Sequence, residues 1–277
     1  MAARLAAITP GGYRAGAPPA SEPTAWAVLA LLGAGDWMAA RRGCDWLAET
    51  QAGDGAVGVR RRQPAPAWPT ALALLAWEAY HRATGENRYH PRIEHALAWT
   101  LKTRGRTVER KPQIGHDTTL VGWSWANNTH SWLEPTSLFV KALTANGLGA
   151  HARTAEATRL LIDRLLPGGG ANYGNTRVLQ QYLLPHVQPT GLVMWALADQ
   201  EVEDPRIEAS LAYLAREIEQ PLGSASIAYA LIGLAAHGRL PKSAATLTAA
   251  ALARRATVGS TYKLALLNLA RQQAQNA

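Results

Sequence analysis

The sequence is almost free of cysteine, and it has no long uncharged apolar segment. Its single cysteine, Cys44, excludes intrachain disulfides and a cluster of metal-binding thiolates, and it fits a reducing compartment. The apolar runs fall short of the ~18 residues that a membrane-spanning helix needs. The first segment, MAARLAAITPGGYRAG, also lacks the apolar core of a secretory signal. The sequence therefore predicts a cytoplasmic protein without a membrane span, and it leaves peripheral contact with a membrane surface open.

Phenylalanine is also nearly absent, with one residue, whereas the chain has ten tryptophans. This number of indoles exceeds what a small helical core requires, so we expect some of them to line a cavity or a groove. Basic residues outnumber acidic ones, giving a formal net charge of +8. The excess is mostly arginine scattered over helix faces and turns, without a zinc-finger or RNA-binding motif, which argues against nucleic acid as a partner.

One pattern recurs along the chain: Pro-Thr followed by an apolar run that often ends in Ala-Leu. Proline suits the first turn of a helix, where its missing N–H would have no partner anyway. The runs are apolar nearly all round, which is typical of a fully buried helix. Four segments carry Pro-Thr, and two later ones keep only the hydroxyl residue and the apolar run: EPTAWAVLALL from Glu22, WPTALALLAW from Trp68, EPTSLFVKAL from Glu134, QPTGLVMWAL from Gln188, SASIAYALIGL from Ser224 and STYKLALLNL from Ser260.

Amphipathic helices with charged faces alternate with these apolar ones. Enclosing the apolar helices within a ring of the amphipathic ones predicts an all-α protein, a single α/α toroid with about six inner and five to six outer helices. We expect the toroid to comprise residues 21–277, and residues 1–20 either to complete the outer ring or to stay loose. The amphipathic segments are DWMAARRGCDWLAETQ, PRIEHALAWTLKTRG, HARTAEATRLLIDRLL, PRIEASLAYLAREIE and LPKSAATLTAAALARR.

Three long connections, residues 52–68, 104–132 and 167–187, each lie just before an inner helix. Because they share this place in the repeat, we expect them at one mouth of the toroid. Long loops on a rigid scaffold are where binding and catalytic residues usually lie. The second loop is the richest, since it brings histidine, aspartate, asparagine and tryptophan side chains into one short stretch.

The segment RGCDWLAETQ (residues 42–51), followed by Asp54-Gly55, resembles the QW repeat of squalene and oxidosqualene cyclases. That repeat reads basic-Gly, aromatic-Leu, Gln and then Gly-x-Trp, and this chain departs from it with Val57 at the final tryptophan. The segment GWSW from Gly122 looks like a second Gly-x-Trp tail. The helix starts also resemble those of the prenyltransferase and squalene-cyclase repeat superfamily. This resemblance covers most of the chain and implies a terpenoid cyclase-like toroid.

The resemblance also implies a candidate acid. The Asp-x-Asp-Asp-Thr-Ala stretch of the cyclases, aligned on its threonine, falls on WLEPTS, so the acid that protonates the polyene corresponds to Glu134. Two companion aspartates are replaced by Trp132 and Pro135. Asp117 and His130 are the expected catalytic partners, and His116 is a further candidate. The expected substrate-binding residues are Trp68, Trp123, Trp125, Trp132, Asn127, Asn128, Tyr173, His186 and Glu22.

Each of these features also has a structural interpretation. A carboxylate at a helix N-terminus, as at Glu134 and Glu22, can simply satisfy free N–H groups and the helix dipole. The tryptophans of the second loop could serve only to hold that loop in place. We expect no metal or other cofactor, because no ligand set with convergent spacing is visible, and the zinc site that protein prenyltransferases need is missing.

Three functions are consistent with these residues. The first is a small class II terpene cyclase-like enzyme that protonates an isoprenoid polyene in an aromatic-lined cavity. The second is a non-catalytic protein of the same fold that holds an apolar ligand or a partner. The third is an α/α-toroid polysaccharide lyase or glycosidase, in which Asn127, His130, Tyr173 and an arginine act beside an acidic sugar.

Overall fold

The structure is a computed structural model that describes residues 2–111, 113–254 and 259–276. Within these residues it contains twelve α-helices and one two-stranded hairpin, which confirms the all-α prediction. The helices are α1 (Ala2–Ala7), α2 (Ser21–Gly33), α3 (Trp37–Thr50), α4 (Thr70–Thr84), α5 (His90–Lys102), α6 (Leu133–Ala145), α7 (Ala152–Asp163), α8 (Val187–Leu197), α9 (Pro205–Glu217), α10 (Ser224–Ala236), α11 (Ala244–Ala253) and α12 (Thr261–Asn276). In the hairpin, strand β1 (Arg177–Val178) pairs antiparallel with strand β2 (Gln181–Tyr182).

The chain divides into two compact units, and each predicted helix is present in one of them. Unit 1 comprises Met1–Thr103 and Ser243–Asn276, and unit 2 comprises Arg104–Lys242. The segments predicted as inner helices are α2, α4, α6, α8, α10 and α12. The segments predicted as amphipathic are α3, α5, α7, α9 and α11, but α11 itself contains only Ala, Thr and Leu and has no charged face. Arg255, the last residue of the fifth amphipathic segment, lies outside the described residues. The predicted boundary between residues 1–20 and 21–277 stays a prediction.

In unit 1 the inner helices α12, α2 and α4 pack side by side, and the outer helices cover them. Helix α3 packs on α2 and α4, α5 packs on α4, and α11 packs on α12. The short helix α1 also packs on α2 and α12. Asp36 caps α3 by accepting a hydrogen bond from the backbone N–H of Ala39 at 3.0 Å. The alternation of apolar and amphipathic helices therefore reflects which helices are buried.

Unit 2 repeats this arrangement with α6, α8 and α10 as the buried helices, while α7 packs on α6 and α9 packs on α8 and α10. The contact between α8 and α10 is close because a glycine lies on each side. A Cβ atom added at Gly191 would lie 2.3 Å from the backbone oxygen of Tyr229, and one added at Gly233 would lie 2.6 Å from the oxygen of Gly191. No helix in the described part of the chain is both long and apolar enough to cross a membrane.

The threonine of each Pro-Thr pair anchors the long loop or segment that precedes its helix. In all four cases the threonine side chain is fully buried and its hydroxyl accepts a hydrogen bond from a backbone N–H upstream. The pairs are Thr24 with Gly11, Thr70 with Val57, Thr136 with Trp123, and Thr190 with Ala171, at N···Oγ1 distances of 3.3, 2.8, 3.1 and 2.9 Å. The recurring threonine thus has a tertiary role in addition to marking the helix start.

We expect Thr190→Val to lower the free energy of unfolding by about 1–3 kcal/mol, because it leaves the buried N–H of Ala171 without its acceptor. Thr248→Val is a matched control. Thr248 is equally buried, but its hydroxyl only donates to the carbonyl oxygens of Ala244 and Ala245 in its own helix, so we expect the loss there to stay below about 1 kcal/mol. Urea unfolding of both variants measures the difference, and equal losses would contradict the anchoring role.

Candidate functional site

Glu134, the expected proton donor, is the second residue of α6 and is only 5% exposed. Its Oε1 accepts a hydrogen bond of 2.9 Å from the side-chain amide of Gln188, the second residue of α8. Proline and threonine follow both residues, so the two occupy the same position in their repeats. The packing of α6 against α8 brings these equivalent positions together.

The surroundings of Glu134 favour its protonated form. Burial raises the pKa of this carboxyl to about 7, although the hydrogen bond from Gln188 acts in the opposite direction. The N-terminus of α6 should also favour the carboxylate. Desolvation is nevertheless the stronger effect, because a neutral amide compensates little of the cost of burying a charge. A carboxyl with this pKa holds its proton about half of the time at neutral pH.

Tyr173 and His186 lie at the same helix starts as Glu134 and Gln188. The backbone oxygen of Tyr173 accepts a hydrogen bond from the N–H of Leu133 at 3.0 Å. The Tyr173 ring is 5.1 Å from the ring of His186, the residue that precedes α8. Burial and the neighbouring Glu134 both raise the pKa of the Tyr173 phenol. We call Glu134, Gln188, Tyr173 and His186 the Glu134 cluster.

Asp117 and His130, the expected partners of Glu134, make other contacts. Asp117 accepts hydrogen bonds from the N–H and the hydroxyl of Thr119, which lower the pKa of its carboxyl and keep it ionised. The His130 ring lies 4.4 Å from the ring of Trp132, and burial lowers the pKa of this histidine. The side chain that donates a hydrogen bond to Glu134 is instead Gln188.

Several of the expected aromatic and amide residues line one cavity in unit 2, of about 560 Å³. Its lining includes Trp125, Trp132, Asn128 and His130. Asn128 has a positive φ of 62° at the turn of the loop, a conformation that asparagine tolerates better than most residues. Asn127, beside it, is exposed. The second long loop thus contributes two tryptophan side chains to the lining of this cavity.

Trp123 has a different environment from its neighbours, because it is part of the core. It is 1% exposed and stacks on Phe139, with ring centroids 4.9 Å apart and planes inclined by 25°. The guanidinium of Arg153 lies 4.5 Å from the centre of its ring. Both contacts, together with the anchor to Thr136, give Trp123 a structural role at the base of the loop.

Glu22 and Trp68 belong to unit 1. Glu22 is half-buried and accepts a hydrogen bond from the phenol of Tyr13, whose ring lies 5.5 Å from that of Tyr262. Burial and the Glu22 carboxylate raise the pKa of the Tyr13 phenol. Trp68 is 9% exposed just before the anchor Thr70. In the described parts of the chain, no three His, Cys, Asp or Glu side chains converge in a way that could hold a metal ion.

The sequence interpretation missed Gln188, although a signal for it was present. Gln188 stands at the Glu134 position of its own repeat, and neighbouring repeats are expected to place equivalent residues side by side. It also missed Arg164, which is 4% exposed at the end of α7. Arg164 Nη1 donates to the carbonyl oxygen of Gly174 at 2.8 Å. Nothing in its local sequence distinguishes Arg164 from the arginines on exposed helix faces.

Comparisons with known proteins found similarity to solved structures and none to protein families or curated sequences. No model of a protein family matches the chain, and no curated protein sequence matches it. A solved structure of an α-amylase from Clostridium perfringens, described as novel, matches with a TM-score of 0.62 and 11% identity, over 92% of this chain and 87% of that chain. A second match is the type II terpene cyclase MstE from Scytonema, in a variant in which one arginine is replaced by alanine, in complex with its substrate geranylgeranyl dihydroxybenzoate. It has a TM-score of 0.60 and 14% identity, over 92% of this chain and 88% of that chain.

Both of these proteins have α/α toroid folds, so the predicted fold class is confirmed. Because both identities are below 25%, the likeness extends to the fold and no further. A fold of this kind hosts unrelated chemistries, and the function of the chain has to be argued from its own side chains.

Proposed function

We propose that this protein is an isoprenoid-handling enzyme of the class II terpene cyclase type, with Glu134 as the proton donor. The observation that carries the proposal is the buried Glu134 carboxyl with its pKa of about 7. A general acid must hold its proton at the working pH, and desolvation is the usual way in which proteins achieve this for a carboxyl. The fold likeness to a type II terpene cyclase supports the same choice.

In the proposed reaction the Gln188 amide binds Oε1, so that Oε2 carries the acidic proton. Oε2–H transfers this proton to one carbon of an alkene, and the alkene electron pair forms the new C–H bond. The adjacent carbon becomes a carbocation, which the next double bond attacks. The electron-rich faces of Trp125 and Trp132 would stabilise the positive charge by cation–π attraction. Loss of a proton from the cyclised cation to a base ends the reaction and leaves the substrate isomerised.

A carbohydrate-active enzyme is the second candidate, favoured by the fold likeness to the α-amylase. A carboxyl with a pKa near 7 could equally protonate a glycosidic oxygen. Glycosidases usually need a second carboxyl within about 5–9.5 Å of the first. The pKa of Glu134 is set by burial and by Gln188, which favours a single acid acting on an apolar substrate.

The experiment is a product assay with purified protein on prenyl and squalene-like polyenes, and in parallel on starch-type and anionic polysaccharides. We expect isomerisation of a polyene, and its kcat/KM should fall as the pH rises through about 7, because Glu134 then loses the proton that it donates. Cleavage of a polysaccharide without polyene conversion would favour the second candidate. Tight polyene binding without any product would show a non-catalytic binding protein and would overturn the proposal.

A further inference from the structure

A second cavity in unit 2, of about 380 Å³, lies between the two long loops of that unit and the end of α7. One wall comes from the loop of residues 104–132, another from the hairpin region around Asn175 and Arg177, and Arg164 lies between them. Gly115 makes the contact of the two loops close, since a Cβ atom there would lie 2.7 Å from Cβ of Arg177. The volume falls within the range of about 300–1,000 Å³ that is typical of small-molecule sites.

The charged part of the cavity lining is positive. It comprises Arg106, Arg164 and Arg177, and no carboxylate is among the described residues that line it. His116 and His130 also line the cavity, and burial lowers the pKa of both, to about 4 for His116, so their rings are neutral at neutral pH. Burial lowers the pKa of the Arg164 guanidinium to about 10, so this group stays charged at neutral pH in an environment that disfavours a charge. Asp163, outside the lining, pairs with Arg164, whereas Arg106 and Arg177 leave the lining itself positive, which favours a negatively charged occupant.

Three polar atoms on this lining have no hydrogen-bond partner within the described chain: His116 Nδ1, Thr118 Oγ1 and Arg164 Nε. The three residues are 8%, 9% and 4% exposed, so each is more than nine-tenths buried. The carboxylate of Asp163 lies 3.7 Å from Arg164 Nε, which is beyond hydrogen-bond distance. A buried polar group without a partner costs about 1–3 kcal/mol, and three of them around one cavity are unusual in a native protein.

Each of the three atoms can act as a hydrogen-bond donor. The Arg164 Nε–H and the Thr118 hydroxyl are donors, and His116 Nδ1 is a donor in the corresponding tautomer. Apolar side chains, Val108, Ile114, Leu120 and Val178, complete the lining. The cavity therefore combines donors and positive charge with an apolar surface.

The geometry points to a binding site for an organic oxyanion, a carboxylate or phosphate monoester group attached to a compact apolar body. The oxyanion accepts hydrogen bonds from His116, Thr118 and Arg164, and the apolar body contacts Ile114 and Leu120. Arg106 and Arg177 supply additional positive charge at the cavity. This site does not use the Glu134 carboxyl, so it stands independently of the proposed reaction.

The experiment is isothermal titration of the full chain with benzoate, phenyl phosphate and inorganic phosphate at neutral pH and low salt. We expect saturable binding of at least one of the two organic anions, tighter than the binding of inorganic phosphate. The tighter of the two identifies the head group. Arg177→Gln and Arg106→Gln should each weaken the binding about tenfold, the effect expected for losing one interaction with a charged group.

Arg110→Gln is the matched control, because Arg110 is exposed, carries the same charge in the same loop and contacts Asp117 instead of the cavity. We expect it to change the affinity less than twofold. Glu134→Gln should bind the anion as the unchanged protein does, so failure of the proposed reaction and failure of this site can be told apart. The inference is overturned if neither organic anion binds, if inorganic phosphate binds equally tightly, or if Arg110→Gln weakens binding as much as Arg177→Gln.

Discussion

Glu134→Gln is expected to lower polyene turnover at least about a hundredfold, because glutamine keeps the shape of the side chain but has no acidic proton to donate. The Gln188 amide can still donate its hydrogen bond to the carbonyl oxygen of the new amide, so the contact between α6 and α8 is retained. The loss should appear in kcat and kcat/KM alike if the proton is transferred in the rate-limiting step. Steady-state product formation by the two proteins measures it.

The same substitution should stabilise the fold above neutral pH, which separates lost chemistry from lost structure. The folded state raises the Glu134 pKa from 4.5 to about 7, so folded protein binds the proton more tightly than unfolded protein between these values. The stability of the unchanged protein therefore falls as the pH rises from about 4.5 through about 7. Glutamine does not titrate, and at pH 8 the variant should be more stable by up to about 3 kcal/mol.

Glu208→Gln is the control for both measurements. Glu208 also lies in the first turn of a helix, α9, but its side chain is 64% exposed and pairs with Arg239 at 3.1 Å. We expect no more than a twofold change in turnover and no pH-dependent gain in stability. Unreduced turnover in Glu134→Gln would show that this carboxyl is not the acid.

Trp123→Ala is expected to lower the free energy of unfolding by about 3–5 kcal/mol, the second large effect. The side chain is 1% exposed, and its removal leaves a cavity between Phe139 and the Arg153 guanidinium. A part of this loss reflects the aromatic stacking and the cation–π contact, each worth about 0.5–2 kcal/mol beyond the buried area. Urea unfolding, followed by circular dichroism, measures the change.

Trp125→Ala is the natural comparison, because Trp125 lies two residues away in the same loop and lines the aromatic cavity. We expect it to cost less than about 1.5 kcal/mol, since this side chain is only half-buried. It should instead reduce the affinity for an apolar ligand. The assignment of Trp123 to the core would be wrong if Trp123→Ala unfolded at the same urea concentration as Trp125→Ala.

The helices could be predicted because their signals are local. Apolar runs such as the one after Thr70 and charged faces such as that of α9 are visible within one segment, and proline in the first turn fixes where several helices begin. The fold class followed from the alternation of these two kinds of helix.

The candidate sites were less predictable because they depend on pairs of distant residues. The sequence predicted Glu134 as the acid, but the hydrogen-bond partner of Glu134 is 54 positions away along the chain. The positive cavity joins His116 to Arg164, and only the packing of two loops against α7 brings them together. Trp123 and Trp125 have the same side chain and almost the same position, yet one is buried and the other is half-buried. The composition of the loop does not distinguish them.

The threonine anchors have a consequence for how this scaffold tolerates change. Three of the anchored residues precede their threonine by 13 positions and the fourth precedes it by 19, yet all four make the same hydrogen bond. Closing the longer span costs only about 0.3 kcal/mol more in chain entropy. Segments between an anchored residue and its helix can therefore gain or lose residues without disturbing the buried bundle, so the loops can diverge while the helices stay in place.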